Sequence, residues 1–237
     1  MAVGSLTYRR YNGFNDLEIE GAEILKELPE RGVMFVSNHQ TYFADVIALY
    51  HIFFAANNKR YGNLKPPTYL LRPKTNIYYV AAKETMNAGL LPKLFKYAGA
   101  ITIKRAWRDA GKEVNRAVDM GEVENIYKAV KQGWVINFPQ GTTKPFAPGR
   151  KGVIRIINDT NPIVVPVVID GFRRAFDKKG LRIKKRGVTL RIRFKPPFHL
   201  DDSMNKTDQL NKIMKEIEQS PEFIRVKSLD ELRQEMK

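Results

Sequence analysis

Histidine is scarce in this chain: His39, His51 and His199 are the three among 237 residues. His39 stands apart by its setting. The run Val33-Met34-Phe35-Val36-Ser37 has the apolar character of a strand, it ends abruptly in polar residues, and a long apolar segment from Val46 to Ala56 follows. This reads as strand, polar turn, helix, an arrangement that holds an imidazole at the mouth of a sheet with a carboxylate, Asp45, close by in sequence. A neutral imidazole oriented by a carboxylate is a competent general base near neutral pH. The other two lack that setting, since His51 falls within the apolar helix and His199 near a proline-rich strand end.

The elements that must position this turn are legible as alternating short apolar strands and helices. Leu17 to Gly21 alternates as a short edge strand, Ala22 to Leu28 has a brief helical pattern, and Ile77 to Lys83 reads as a buried strand. A short helix over Leu90 to Tyr97 and a strand over Gly99 to Arg105 come next. A helix from about Glu122 to Gln132 stops at Gly133. Trp134 to Phe138 and Ile163 to Ile169 are further strands, the second interrupted by Pro166. Val188, Leu190, Ile192 and Phe194 alternate with polar residues as a half-exposed strand. Leu210, Ile213, Met214 and Ile217 fall at helical spacing, and Ser228 with Glu231 has the spacing of a capping box. This order predicts an α/β fold: a single domain with a central mixed, largely parallel sheet flanked by helices. Its motif-bearing core spans about 33–170, and a basic strand region and C-terminal helices fill 171–237. Ligands of such sheets sit at the carboxyl ends of the strands. His39, Arg105 and the loop Gln140 to Lys144 all fall at such ends, so one cleft is expected to collect them.

Composition narrows the chemistry. Hydrophobic content of 43% and aromatic content of 11% exclude a disordered chain. There is no cysteine, so disulfides and thiolate chemistry are excluded, and three widely spaced histidines predict no metal site. With 41 Lys and Arg against 25 Asp and Glu, the net charge of +16 favours a polyanionic partner: nucleic acid, anionic lipid, a phosphorylated substrate or an acidic carrier protein. The basic residues are not interleaved with stacking aromatics in a nucleic-acid pattern, so no specific nucleic acid is expected. Val46 to Ala56 is shorter than the roughly 20 residues of a spanning helix, and Met1 to Arg10 lacks the apolar core of a secretory signal. The expected location is cytoplasmic, with peripheral attachment to the inner face of the cell membrane. Tyr8, Tyr11, Phe14, Phe53 and Phe54 are the apolar side chains considered for that attachment.

Four ordered segments give the chain a resemblance to a known family. Asn38-His39 with Asp45, Gly99 to Arg105 as Gly-x-Ile-x-Ile-x-Arg, Phe138-Pro139-Gln140-Gly141-Thr142-Thr143, and Val165-Pro166-Val167 resemble the four blocks of the glycerophospholipid acyltransferase superfamily, the 1-acylglycerol-3-phosphate O-acyltransferase-like enzymes. The resemblance implies that His39 takes the proton of an acceptor hydroxyl, which attacks the thioester of acyl-CoA or acyl carrier protein. Asp45 would orient the imidazole. Arg105, Gln140, Gly141, Thr142, Thr143 and Lys144 would hold the acceptor's anionic head, with Asn38 and Lys104 in support. No cofactor is implied beyond the acyl thioester as co-substrate, and the acceptor is a single-chain lipid such as 1-acylglycerol 3-phosphate.

Three positions depart from the family pattern. Five residues separate His39 from Asp45 where the family has four, so on a continuous helix the carboxylate would be rotated by about 100°. An extra residue absorbed in the turn would restore the contact. Gln140 stands where the family has Glu, and Thr143 where it has Arg. Those two changes keep an alternative open, O-acylation of a lyso-aminolipid built on an N-acyl amino acid. A non-catalytic protein that binds membrane or nucleic acid is the alternative from another class.

Overall fold

The central strand is the one that delivers His39. In the computed structural model, which describes residues 2–86, 98–104, 108–109, 112–113 and 119–224, β2 (Val33–Ser37) is buried at every residue. It lies fourth in a seven-stranded sheet of order β1-β9-β8-β2-β7-β3-β4. The other strands are β1 (Asp16–Glu20), β3 (Ile77–Ala82), β4 (Ala100–Ile103), β7 (Trp134–Asn137), β8 (Ile163–Asp170) and β9 (Thr189–Phe194), and a separate small ladder pairs β5 (Arg108–Asp109) with β6 (Lys112–Glu113). Neighbours in the large sheet run parallel except β8 and β9, which are antiparallel. The expected mixed, largely parallel α/β sheet is therefore present.

Helices cover both faces, and that is why β2 is apolar throughout rather than alternating. Val33 and Phe35 face one core with Tyr11 of α1 (Ala2–Tyr11), Leu49, Ile52 and Phe53 of α2 (Ala44–Asn57), and Phe172 of the one-turn α6 (Phe172–Ala175). Met34 and Val36 face the other, against Ile126 and Val130 of α4 (Met120–Gln132), Ile154 and Ile157 of α5 (Gly152–Thr160), and Ile213 of α7 (Lys206–Glu216). Another one-turn helix, α3 (Lys83–Met86), directly follows β3. The ends of α4 follow local rules: Asp119 caps it by accepting from Gly121 N–H. Gly133 ends it where a Cβ would come within 2.0 Å of Asn76 O.

Several expectations shift. Ala22–Lys26 is a 3-10 turn, shorter than the helical pattern over Ala22 to Leu28. Helices α1 and α5 are additions to the sequence reading. The helix expected at Leu90 to Tyr97 and the capping box at Ser228 and Glu231 lie outside the described residues.

Candidate active site

The chain leaves β2 at Ser37 and enters α2 at Ala44, so residues 38–43 form a non-helical turn in which the extra residue is absorbed. Asp45 therefore faces back toward His39. Its Oδ2 lies 3.0 Å from His39 Nδ1, and the carboxylate also accepts from Gln40 N–H at 2.6 Å, Thr41 N–H at 3.1 Å and the Thr41 hydroxyl at 2.7 Å. The carboxylate is fully buried. Three donors besides the ring hold it in one place, and its contact with Nδ1 leaves Nε2 as the ring nitrogen not engaged by Asp45. Phe138, at the end of β7, stacks on the imidazole with ring centroids 3.9 Å apart and planes 21° from parallel. The ring is thus fixed on its edge by Asp45 and on its face by Phe138.

The turn is anchored on both sides. Asn38 extends the β2–β8 pairing past the last backbone pair: its amide donates to Ile169 O at 2.8 Å and its oxygen accepts Ile169 N–H at 2.7 Å. The Gln40 side chain accepts Arg173 N–H at 3.1 Å and donates to Asp170 at 3.3 Å. From the far side, Tyr42 N–H and Phe43 N–H donate to the carbonyls of Lys178 and Lys179. Gly180 completes that contact at φ 75°, with its Cα so close that a Cβ would lie 2.5 Å from Ala44 N.

His39 opens onto a cleft of about 370 Å³ between the strand ends and α4 and α5. Its interior is apolar, lined by Val46, Tyr79, Val80, Met86, Ile103, Val123, Ile126, Val153 and Ile156. Polar and cationic groups occupy the rest of the wall: Gly141, Thr142 and Thr143 after β7, Lys104 after β4, and Arg150, Lys151 and Arg155 around the start of α5. Asp119 and Glu122 are the carboxylates among the described lining residues. A mainly apolar cleft with four cations against two carboxylates in its lining suits a ligand that is part hydrocarbon and part anion.

The structure sorts the residues singled out from sequence. His39, Asp45, Lys104, Gly141, Thr142 and Thr143 are brought to one place, and Asn38 braces it. Arg105 lies outside the described residues. Gln140 is corrected: it is 2% exposed and turned from the cleft, donating to Ala147 O at 2.9 Å and Gln219 Oε1 at 3.3 Å. Lys144 is exposed and absent from the cleft wall. Arg173, from the basic region, reaches the turn but is engaged in bracing it, donating to Thr143 O at 2.7 Å. Sequence reasoning missed Phe138 as a ring support, Thr41 as a carboxylate donor, and Arg150 and Lys151. The signal for the last two was present: a Pro-Gly turn, two cations and a glycine precede Val153, Ile154, Ile156 and Ile157, whose spacing is helical.

The remaining histidines are elsewhere. His51 is 2% exposed, bonded to Thr7 Oγ1 at 2.9 Å and Tyr69 OH at 2.7 Å, and burial pushes its pKa down to about 4 from the ordinary 6.5. His199 pairs with Asn161 on the surface. Among the described residues no cluster of three or more His, Asp or Glu forms a metal-binding group, and no helix is long and apolar enough to cross a membrane.

The profile of the Acyltransferase family matches residues 16–170, more than half of the 237, and covers both sides of the His39 cleft. The chain belongs to that acyltransferase family. Its fold is similar to the crystal structure of the 1-acyl-sn-glycerophosphate (LPA) acyltransferase PlsC from Thermotoga maritima, with a TM-score of 0.54 at 17% identity over 92% of this chain and 77% of that one. No curated protein sequence gives a significant match.

Proposed function

We propose that this acyltransferase moves a fatty acyl chain from an acyl thioester, acyl-CoA or acyl carrier protein, to the free hydroxyl of a lysophospholipid such as 1-acylglycerol 3-phosphate. The observation that carries this reading is a His39–Asp45 pair opening onto a mainly apolar cleft whose lining also holds the cations Lys104, Arg150, Lys151 and Arg155. His39 Nε2 takes the acceptor's hydroxyl proton as its oxygen attacks the thioester carbonyl carbon. The C–S bond then breaks, and the departing thiolate takes the proton back from the imidazolium. Asp45 steadies the charged ring between these steps, and no group on the enzyme is acylated. Val46, Val80, Ile126 and Ile156 would cover the hydrocarbon. The cations at Arg150, Lys151 and Lys104, with the Thr142 and Thr143 hydroxyls after the Gly141 turn, would hold phosphate, since convergent cations and hydroxyl donors form an anion site.

The buried Gln140 removes one argument for an amino-acid head group, because its side chain lies outside the cleft. Thr143 remains as the other. Purified protein given long-chain acyl-CoA, with lysophosphatidate or a hydroxylated N-acyl amino acid as acceptor and products read by mass spectrometry, decides between them. Acylated lysophosphatidate is the expected product. Transfer to the amino-acid lipid alone would overturn the phosphate assignment in favour of O-acylation of a lyso-aminolipid.

A further inference from the structure

We infer that the segment from Lys178 to Arg186 is a built docking surface for an anionic lipid bilayer, and that it sets the cleft mouth against that bilayer. The inference deepens the lipid-acceptor reading above by naming the face that meets the acceptor's source.

The ten residues 178–187 hold six cations, Lys178, Lys179, Arg182, Lys184, Lys185 and Arg186, and no Asp or Glu. All six are exposed. Their backbone is held firmly. Phe176 bridges Ile183, Lys184 N–H donates to Ala175 O at 2.8 Å, and Gly187 N–H donates to Phe14 O at 2.7 Å. Leu181 and Ile183 pack inward on the core while Arg182 and Lys184 between and beyond them face out. The nearest acid, Asp177, is occupied by this turn. Burial pushes its pKa up, but backbone N–H donors from Arg182, Leu181 and Gly180 outweigh that and leave it below the ordinary value. The result is a patch of one sign on a hydrogen-bonded turn.

Two observations point to a lipid surface. The carbonyls of Lys178 and Lys179 accept the N–H groups of Tyr42 and Phe43, which line the cleft, so the patch adjoins the turn that forms part of the cleft wall. Helix α1 is tied to the same segment by Arg10, which donates to Leu181 O at 2.8 Å. That helix carries Leu6, 78% exposed, and packs through Gly4 against Leu70, beside Leu71 at 72% exposed. Six exposed cations joined through Arg10 to a helix that carries an exposed leucine match an interface of anionic head groups over hydrocarbon. Tyr11 and Phe53, considered for this task from sequence, are buried at 1% and 0%.

The test compares Arg182→Gln/Lys184→Gln/Lys185→Gln with a control that removes three charges elsewhere, Lys26→Gln/Lys128→Gln/Lys131→Gln. Co-sedimentation is measured with phosphatidylcholine vesicles containing or lacking phosphatidylglycerol. The patch variant is expected to lose about tenfold or more in affinity for the anionic vesicles, given the contribution of each cation at such a surface. The control keeps its affinity, and turnover on detergent-dispersed acceptor is unchanged in both. An equal loss in both variants would reduce the effect to net charge and overturn the assignment. Intact vesicle binding with a raised KM for acyl carrier protein would give the patch to the donor's carrier instead, and intact binding alone would also overturn it. Vesicle binding is read without turnover, so its failure is distinct from failure of the proposed reaction.

Discussion

At the scale of single residues, the site depends on how completely Asp45 is held. A buried carboxylate facing an imidazole orients it only if it is held still, and Thr41 contributes two of its four donors, the imidazole included. Removing the hydroxyl leaves the backbone donors in place, so Thr41→Val tests positioning rather than folding. A hydrogen bond to a charged group contributes on the order of 1.5–3 kcal/mol, so kcat should fall about tenfold or more with little change in KM. Thr41→Ser should restore it, and a valine variant at full rate would remove Thr41 from the account. Sequence singled out His39 and Asp45 from their types and their place between a strand and a helix, and the two lie 3.0 Å apart. It could not foresee Phe138, whose stacking follows from β2 and β7 being neighbours in space, nor that Gln140 turns inward toward Gln219, 79 positions away.

At the scale of elements, the longer spacing between His39 and Asp45 is accommodated by a second segment. The turn at Lys178–Gly180 supplies carbonyls to Tyr42 and Phe43, and Gly180 permits the approach. Alanine there would adopt a left-handed conformation and push its Cβ against Ala44 N, so Gly180→Ala should cost about 1–3 kcal/mol in denaturant unfolding and lower kcat as the turn shifts. Wild-type stability and rate in that variant would show that the turn holds itself. Most strands were legible because Val, Ile and aromatic runs between turn signals leave few alternatives. Helix α5 was not, because Val153, Ile154, Ile156 and Ile157 are β-branched and carry a strand's composition at a helix's spacing. Helix α1 was hidden for another reason: its sequence is weakly amphipathic, and it is defined by long-range partners such as Thr7 with His51.

At the scale of the whole molecule, α1, α2 and the 3-10 turn Pro67–Leu71 are joined through His51, which is bonded to Thr7 and Tyr69. Its folded pKa of about 4 lies below the unfolded 6.5, so the unfolded chain binds a proton first as pH falls. Stability is therefore complete above about pH 6.5 and declines toward pH 4, by on the order of 3 kcal/mol from this group. Urea unfolding at pH 7 and pH 4.5 should show that loss, and His51→Gln should blunt it; an equal pH dependence in the variant would place the cause elsewhere. The sheet order, the two cores and the cleft all serve one arrangement, an imidazole at the end of the central strand facing an apolar trough. The most direct test of that arrangement is the initial rate of acyl transfer from acyl-CoA to lysophosphatidate by His39→Ala beside the wild-type protein, with matching circular dichroism spectra. A fall of about 10²–10⁴-fold is predicted for loss of a general base, and transfer at the wild-type rate would contradict the account.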